Sequence, residues 1–193
     1  MPEPSRNFVL LVDDEPAIRT LYSSLLRASG YEVCEAEDGI DALAKLRERL
    51  PNAIISDLEM PRMAGVELLK IVRYRFPRMP TIAISGGLDQ RAGQQEIAAD
   101  CLFAKGQLNV AELRQRLADL IARAAARPEA AKAPELSLRV SHNGPGLLVV
   151  NCPECLRTFK ISDLPGIQEG QGSTLCPHCS AQVKYQLEGW SPA

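Results

Sequence analysis

The sequence predicts an α/β fold with a five-stranded, doubly wound parallel sheet, followed by a small β module. Over about the first 126 residues, short apolar runs alternate with segments of helical periodicity, which is the pattern of βαβ units. Several of these apolar runs are followed directly by a polar residue. Beyond residue 150, four cysteines fall in two Cys-x-x-Cys pairs. These observations predict an α/β domain in the first part of the chain and a small module built around the four cysteines in the second part.

Composition supports a folded chain of this size. The 193 residues are enough for one ordinary domain and a small module, and 46% hydrophobic with 24% charged residues is typical of a soluble globular protein. The net charge of −2 argues against a domain built mainly to bind nucleic acid phosphates. No apolar run approaches the roughly 20 residues that span a bilayer. Because the start also lacks a signal-peptide pattern, we expect a cytoplasmic protein with no membrane contact.

The predicted strands are short apolar runs bounded by turn or polar residues. The first is a continuous run that stops at an acidic triplet, and the second alternates apolar and polar residues. The third ends at an aspartate, the fourth at a serine before Gly-Gly, and the fifth at a lysine. In chain order they cover residues 8–12, 31–36, 53–56, 81–85 and 101–104.

Helical periodicity separates these strands. Pro16 suits the first turn of the first helix, Gly30 ends that helix, and Pro51 follows the second. The last helix begins at Asn109, with Glu112 at capping-box-like spacing. A weak polar helix is predicted near residues 88–98. The apolar residues expected on buried faces are Ile18, Leu21 and Leu25; Ile40, Leu43, Leu46 and Leu50; Val66, Leu69 and Val72; and Leu113, Leu117, Leu120 and Ile121.

Five polar residues follow the predicted strands at their carboxyl ends, where ligands bind to parallel sheets: Asp13, Asp14, Asp57, Ser85 and Lys105. Carboxylates supply hard oxygen ligands for Mg²⁺, and a carboxylate can also act as the nucleophile that forms an aspartyl phosphate. A hydroxyl and an ammonium can bind the transferring phosphoryl group. Each residue alone fits a solvated strand end or a charge at a helix N-terminus. Together the five predict a phosphoryl-transfer site.

The segments LLVDDEP, ISDLEMPRMAG, TIAISGG and FAKG, in this order, resemble the receiver domain of bacterial two-component response regulators over about residues 6–126. The resemblance implies a flavodoxin-like fold and a self-phosphorylating acceptor rather than an enzyme. It implies a histidine kinase or a phosphotransfer protein as the partner. It also implies these site residues: Asp57 as phosphoacceptor; Asp13, Asp14, Asp57 and the backbone carbonyl of Glu59 as Mg²⁺ ligands; and Ser85 and Lys105 as phosphoryl-binding residues.

Two positions depart from the family's pattern. The residue three places before the lysine is usually aromatic and takes part in the switch, but here it is Leu102, with Phe103 one place later. The family commonly has a proline after the lysine, often with a cis bond, but here it is Gly106. A cis bond to a non-proline residue costs about 2.5–4 kcal/mol, so we expect a trans or more mobile loop. Phosphorylation is expected to survive both changes, and the manner of switching is open.

An Ala-rich stretch with two prolines separates the domains, and it is typical of a semi-rigid linker. We therefore expect a receiver domain at residues 6–126, a linker at 127–138 and a second domain at 139–190.

The second domain contains Cys152 and Cys155, then 20 intervening residues, then Cys176 and Cys179. Two such turns can place four thiolates around Zn²⁺, and the segment resembles small zinc ribbons of the Cys-Pro-x-Cys type. A module of about 50 residues buries too little surface to fold well without a metal or disulfides. The alternatives are a disulfide or redox pair and unrelated structural cysteines.

The charge of this tail bears on its partner. The segment from Pro128 onward contains five basic and six acidic residues, so its formal net charge without a bound metal is −1. This favours recognition of an unidentified protein over nucleic acid. The first rival is a transcriptional regulator whose ribbon binds DNA, and the second is a scaffold whose receiver no longer signals. Oligomeric state, including a homodimer, is left open.

Overall fold

A computed structural model describes residues 6–86, 97–107, 109–124, 136–140, 148–161 and 170–187. The chain divides into two compact units, Met1–Lys132 and Ala133–Ala193, and this division falls inside the predicted linker. Within the described ranges, no helix combines the length and the apolar character that crossing a bilayer requires.

The first unit contains a five-stranded parallel sheet with the strand order β2-β1-β3-β4-β5. The strands are β1 (Phe8–Val12), β2 (Glu32–Ala36), β3 (Ala53–Asp57), β4 (Thr81–Ser85) and β5 (Cys101–Ala104). The predicted parallel α/β sheet is therefore confirmed. The strand order reverses direction between β1 and β3, so a crevice opens at the carboxyl ends of these two neighbours.

The described residues of the first unit form four helices that flank this sheet: α1 (Pro16–Ala28), α2 (Gly39–Glu48), α3 (Gly65–Arg75) and α4 (Val110–Ala124). Alternate residues of the strands pack with α1 and α4 in one cluster on one face. The other face carries α2 and α3, which contact each other. Every residue of β1, β3 and β4 is buried, as expected for parallel strands covered on both faces. The weak helix predicted near residues 88–98 lies almost wholly outside the described residues.

Two of the apolar residues predicted to face the core are exposed. The buried stripe of α1 is rotated by one residue, so that Tyr22 and Leu26 point inward and Leu21 is 51% exposed. The prediction for Leu50 is also wrong, since α2 ends at Glu48 and Leu50 is 55% exposed. A following proline disfavours the helical conformation of the residue before it, and Pro51 therefore ends the helix early.

The helix ends follow local rules. Gly30 adopts a left-handed conformation, with φ of 90°, just after α1. The Asp38 carboxylate accepts a hydrogen bond of 2.8 Å from the Asp41 amide at the start of α2. Asn109 caps α4 as predicted, although its side chain accepts from the amide of Ala111, at 2.9 Å.

In the second unit, residues 136–140, 148–161 and 170–187 contain two small sheets. Its strands are β6 (Ser137–Val140), β7 (Leu148–Asn151), β8 (Thr158–Ile161), β9 (Gln171–Leu175) and β10 (Gln182–Leu187). β10 lies between β6, to which it is parallel, and β9, to which it is antiparallel. β7 and β8 form an antiparallel pair. Besides Asn151, Cys152 and Cys176, the few buried side chains among the described residues of this unit include Leu138, Val140, Leu148, Val150, Leu156, Phe159, Ile161, Val183, Tyr185 and Leu187.

Gly65, at the start of α3, tests how tightly the sheet and this helix fit together. A Cβ atom on Gly65 would lie 1.8 Å from the carbonyl oxygen of Asp57. We expect Gly65→Ala to lower the free energy of unfolding by about 1–3 kcal/mol, because backbone must shift to relieve the overlap. Urea unfolding followed by circular dichroism measures the change. The control is Gly86→Ala, since a Cβ atom there meets nothing within 4 Å; equal effects of the two substitutions would contradict the prediction.

Candidate functional site

Three carboxylates meet at the carboxyl edge of the parallel sheet. β1 and β3 are neighbours, with Val12 opposite Ser56, so the residues that follow Val12 lie beside the end of β3. Carboxylate oxygens of Asp13, Asp14 and Asp57 all lie within 4.8 Å of one another. Octahedral Mg²⁺ with bonds near 2.1 Å separates its ligands by roughly 3–4 Å, so these oxygens fit such an ion.

Burial makes this cluster unusual for acidic residues. Asp13 is 2% and Asp57 3% exposed. Two amides compensate in part, because the Glu15 amide donates to Asp13 at 2.9 Å and the Glu59 amide donates to Asp57 at 3.2 Å. Burial raises the pKa of Asp13, and the hydrogen bond from the Glu15 amide and the charge of Lys105 partly offset this increase.

Lys105 brings a positive charge into the cluster. It follows β5, and its Nζ lies 2.7 Å from Asp57 Oδ2, 3.2 Å from Asp13 Oδ2 and 3.3 Å from Glu15 Oε1. Burial alone would lower the pKa of this ammonium, but the hydrogen bond and charge of Asp57, and those of Asp13, raise it above its ordinary value. Lys105 therefore keeps its charge at neutral pH. Three carboxylates against one ammonium leave the cluster negative, which favours a bound cation.

Ser85 and Glu59 complete the set of predicted residues. Ile84 lies opposite Asp57, so Ser85, the buried last residue of β4, lies one position further along the same edge. Glu59 is exposed and lies two residues beyond Asp57, to whose carboxylate its amide donates. All the residues predicted for phosphoryl transfer therefore lie at one edge of the sheet.

The loop between β3 and α3 is tied to the start of α2. Arg62, whose φ of 62° is left-handed, forms an ion pair through Nε with the fully buried carboxylate of Asp38. The Gly39 amide donates to the carbonyl of Met63 at 3.2 Å, and a Cβ atom on Gly39 would overlap the Met63 side chain. These contacts hold the segment that follows Asp57 against α2.

Several residues near the site are not among those predicted from the sequence. Arg19 donates to the Asp13 carbonyl at 2.6 Å and lies 3.7 Å from Glu35. No sequence pattern marks this arginine, and although Arg62 lies in the segment ISDLEMPRMAG, that segment does not indicate its pairing with Asp38. Glu15 could have been found, because it is the third acid of the triplet whose first two members were assigned as ligands.

The structure describes the surroundings of both positions that depart from the family's pattern, Leu102 and Gly106. Leu102 is half-buried, whereas Phe103 is buried and packs in the core cluster with α1 and α4. Neighbouring residues of a strand face opposite sides of the sheet, so the Phe103 ring does not replace the missing aromatic residue at 102. The Lys105–Gly106 peptide is trans, and these residues begin a short 3₁₀ turn.

The four paired cysteines of the second unit also meet. Their Sγ atoms all lie within 4.8 Å of one another, with 3.6 Å between Cys152 and Cys179 and 3.7 Å between Cys155 and Cys176. Zinc bound to four sulfurs at 2.3 Å separates them by about 3.8 Å, so the cluster could hold Zn²⁺. Both contacts join one Cys-x-x-Cys pair to the other, and both distances exceed the roughly 2.05 Å of a disulfide bond.

The thiols of this cluster shift in opposite directions. Burial raises the pKa of Cys152 and Cys155, whereas at Cys176 burial is outweighed by hydrogen bonds, chiefly from the His178 and Cys179 amides, which lower the pKa. His178 is exposed and stands outside the group of metal-binding side chains found in the described part of the chain.

The two cysteine turns share one backbone geometry. Leu156 and Ser180, each four residues after the first cysteine of its turn, have φ of 59° and 60°. Both donate at 2.8 Å to the carbonyl of that cysteine, Cys152 or Cys176. The first cysteine of each turn is buried, but of the second cysteines Cys155 is half-buried whereas Cys179 is exposed. Cys34 and Cys101 of the first unit are half-buried rather than members of any such cluster.

Known proteins resemble the first unit. A profile of the family described as "Response regulator receiver domain" matches residues 9–121. "Gliding motility regulatory protein" of Myxococcus xanthus is 34% identical over 121 residues, which are 60% of this chain and 15% of that protein. "Transcriptional regulatory protein PrrA" of Mycobacterium bovis is 34% identical over 117 residues, which are 60% of this chain and 50% of that protein. The chain thus spans at most half the length of these two relatives.

Solved structures agree with these matches. The response regulator TrrA from Thermotoga maritima, in complex with Mg²⁺-BeF, is 32% identical with a TM-score of 0.55, covering 59% of this chain and 98% of that one. The receiver domain of sensor histidine kinase PA1611 from Pseudomonas aeruginosa, with a magnesium ion in its active site cleft, is 27% identical with a TM-score of 0.57, covering 61% and 99%. The chain belongs to the response regulator receiver domain family of two-component systems.

Proposed function

We propose that the first unit accepts a phosphoryl group on Asp57 with the help of Mg²⁺, and that the second holds a structural Zn²⁺ and passes the signal to a protein partner. The observation that carries the first proposal is the buried Asp57 carboxylate, 2.7 Å from Lys105 and clustered with two further carboxylates. Receiver domains are signalling modules that interact with histidine kinases or phosphotransfer proteins, so such a protein is the proposed donor.

The proposed roles follow from the positions of the groups. Asp13, Asp14, Asp57 and the carbonyl of Glu59 would hold Mg²⁺, which when bound neutralises charge on the transferring phosphoryl group. A carboxylate oxygen of Asp57 attacks the phosphorus atom and forms an O–P bond. The bond between phosphorus and the donor breaks, and the donor group leaves with the electron pair of that bond. Lys105 then pairs with a phosphoryl oxygen in place of the carboxylate, and Ser85 donates a hydrogen bond to another.

The proposed output is protein recognition by the second unit, which we place at residues 139–190 after a linker at 127–138. Its support is the slightly acidic charge of the tail, which disfavours nucleic acid. Some relatives are named as transcriptional regulators, but the family match ends at residue 121. A DNA-binding output would lose affinity steeply with added salt, whereas a scaffold would bind its partner equally before and after phosphorylation.

Phosphorylation can be tested by mass spectrometry of the intact chain with Mg²⁺ and a small phosphodonor such as acetyl phosphate. We expect one phosphoryl adduct on the wild type and none on Asp57→Ala, because the nucleophile is then missing. Asp119→Ala on α4 is the matched control and should keep the adduct. A folded, Mg²⁺-bound wild type that gains no adduct would rule out Asp57 as a phosphoacceptor and would favour the hypothesis of a scaffold whose receiver no longer signals.

Lys105 pairs with the carboxylates of Asp13 and Asp57, which would also hold the proposed Mg²⁺. We therefore expect Lys105→Met to lower the Mg²⁺ dissociation constant about threefold to tenfold, as removal of a nearby positive charge requires. The same substitution should slow adduct formation, since the phosphoryl oxygens lose their cation. Calorimetry measures the first effect and timed mass spectra the second. Lys70→Met on α3 should change neither, and weaker Mg²⁺ binding in the Lys105 variant would contradict this assignment.

The zinc proposal predicts one tightly bound metal per chain. We expect Cys152→Ser to weaken zinc binding by about 100-fold or more, since it removes a buried ligand, and to unfold the second unit. Native mass spectrometry with chelator competition measures binding, and amide exchange reports on folding. The control variants Cys34→Ser and Cys101→Ser should retain the metal. A metal-free chain with a folded second unit would refute the proposal.

A further inference from the structure

The strand β9 forms an edge of the three-stranded sheet in the second unit. Among the described residues, β9 pairs with β10 alone. Its sequence, QGSTL, contains no charged residue and no proline. Natural edge strands usually carry a charge, a proline or a bulge that prevents pairing with another chain, and none of these devices interrupts the continuous pairing of β9 with β10.

The hydrogen bonds at the ends of β9 show which of its backbone groups face the open edge. The Leu187 amide donates to the Gly170 carbonyl at 2.8 Å, and the Cys176 amide donates to the Ala181 carbonyl at 2.9 Å. Hydrogen-bonded pairs alternate along antiparallel strands, so the even-numbered residues of β9 bond to β10. The backbone amides and carbonyls of Gln171, Ser173 and Leu175 therefore point away from β10.

The side chains of the same three residues are exposed. They lie on one face of the sheet, opposite Gln186, Lys184 and Gln182 of β10, while Gly172 packs against the Tyr185 ring on the other face. Leu175 is 65% exposed, the highest value among the exposed large apolar side chains of the described residues. β9 thus offers both backbone groups and apolar surface at the same edge.

We propose that β9 pairs antiparallel with β9 of a second copy of this chain, about a two-fold axis through Ser173. This register places Gln171 opposite Leu175 of the other copy and Ser173 opposite its own equivalent. In this register all three outward-facing residues of each copy have a partner. Shifting one strand along the other by two residues would leave one of the three without a partner on each copy. The axis brings together two small serines and no like charges, so identical strands are complementary to each other.

This dimer does not depend on phosphorylation, since no group of the first unit takes part in it. One pair of short strands is a small interface, so we expect a dissociation constant on the order of 100 µM. The sheet would continue across the axis with six strands in the order β6-β10-β9-β9-β10-β6.

Sedimentation of the full chain carrying Asp57→Ala, up to about 1 mM, tests the proposal without phosphorylation-dependent pairing. We expect Ser173→Lys and Ser173→Glu each to weaken the dimer about tenfold or more, because like charges then face each other at the axis. Mixing the two variants should restore association, since opposite charges meet. Gln186→Lys, on the same face but on β10, is the matched control and should leave the dimer intact.

Amide exchange gives a second measurement that needs no variant at β9. Raising the protein concentration should slow exchange at Gln171, Ser173 and Leu175, while Gly172 and Thr174 stay protected throughout. A chain that remains monomeric at about 1 mM would overturn the proposal. A dimer that both charged variants leave unchanged, or a mixture that fails to restore association, would place the interface elsewhere and also overturn it.

Discussion

The mutual repulsion of Asp13, Asp14 and Asp57 is the constraint on which the first unit depends. Like charges this close cannot be held at a buried strand end without compensation. The sheet supplies it with two amides and with Lys105, which reaches Asp57 from the end of β5, two strands away. The strand order therefore brings the three carboxylates together at the ends of β1 and β3, and it also brings the compensating Lys105 close to them from the end of β5. A site balanced in this way is sensitive to any added cation or anion.

The second unit meets a different constraint, which is its size. Its two small sheets bury few apolar side chains, and the sulfur cluster lies at turns that lead into β8 and β10. Two pairs of sulfur atoms lie 3.6 and 3.7 Å apart across the turns, and thiolates at these distances would repel one another unless a cation were bound between them. With the proposed Zn²⁺, metal binding and folding of this unit would be one event rather than two.

Much of the first unit could be predicted because its signals are local. Strand runs, a capping asparagine and polar residues at strand ends depend on neighbouring positions, and they located the β-strands and the carboxylate cluster. Side-chain direction was harder. Leu21 has the spacing of a core residue, yet the packing of Tyr22 and Leu26 rotates α1 away from it. Contacts between distant segments, such as the ion pair of Arg62 with Asp38, could not be predicted, because the residues around Arg62 in the sequence do not indicate which distant side chain it pairs with.

The unequal burial of the two cysteine turns has a kinetic consequence. Cys152 and Leu156 are covered, whereas Pro177, Cys179 and Ser180 are open to solvent. A metal held by the four sulfurs is accessible to competing ligands from one side. For the proposed Zn²⁺, exchange would begin with displacement of Cys179 by an incoming thiol or chelator, at a rate that would rise with the competitor's concentration. A protein that covered this turn would trap the metal in place.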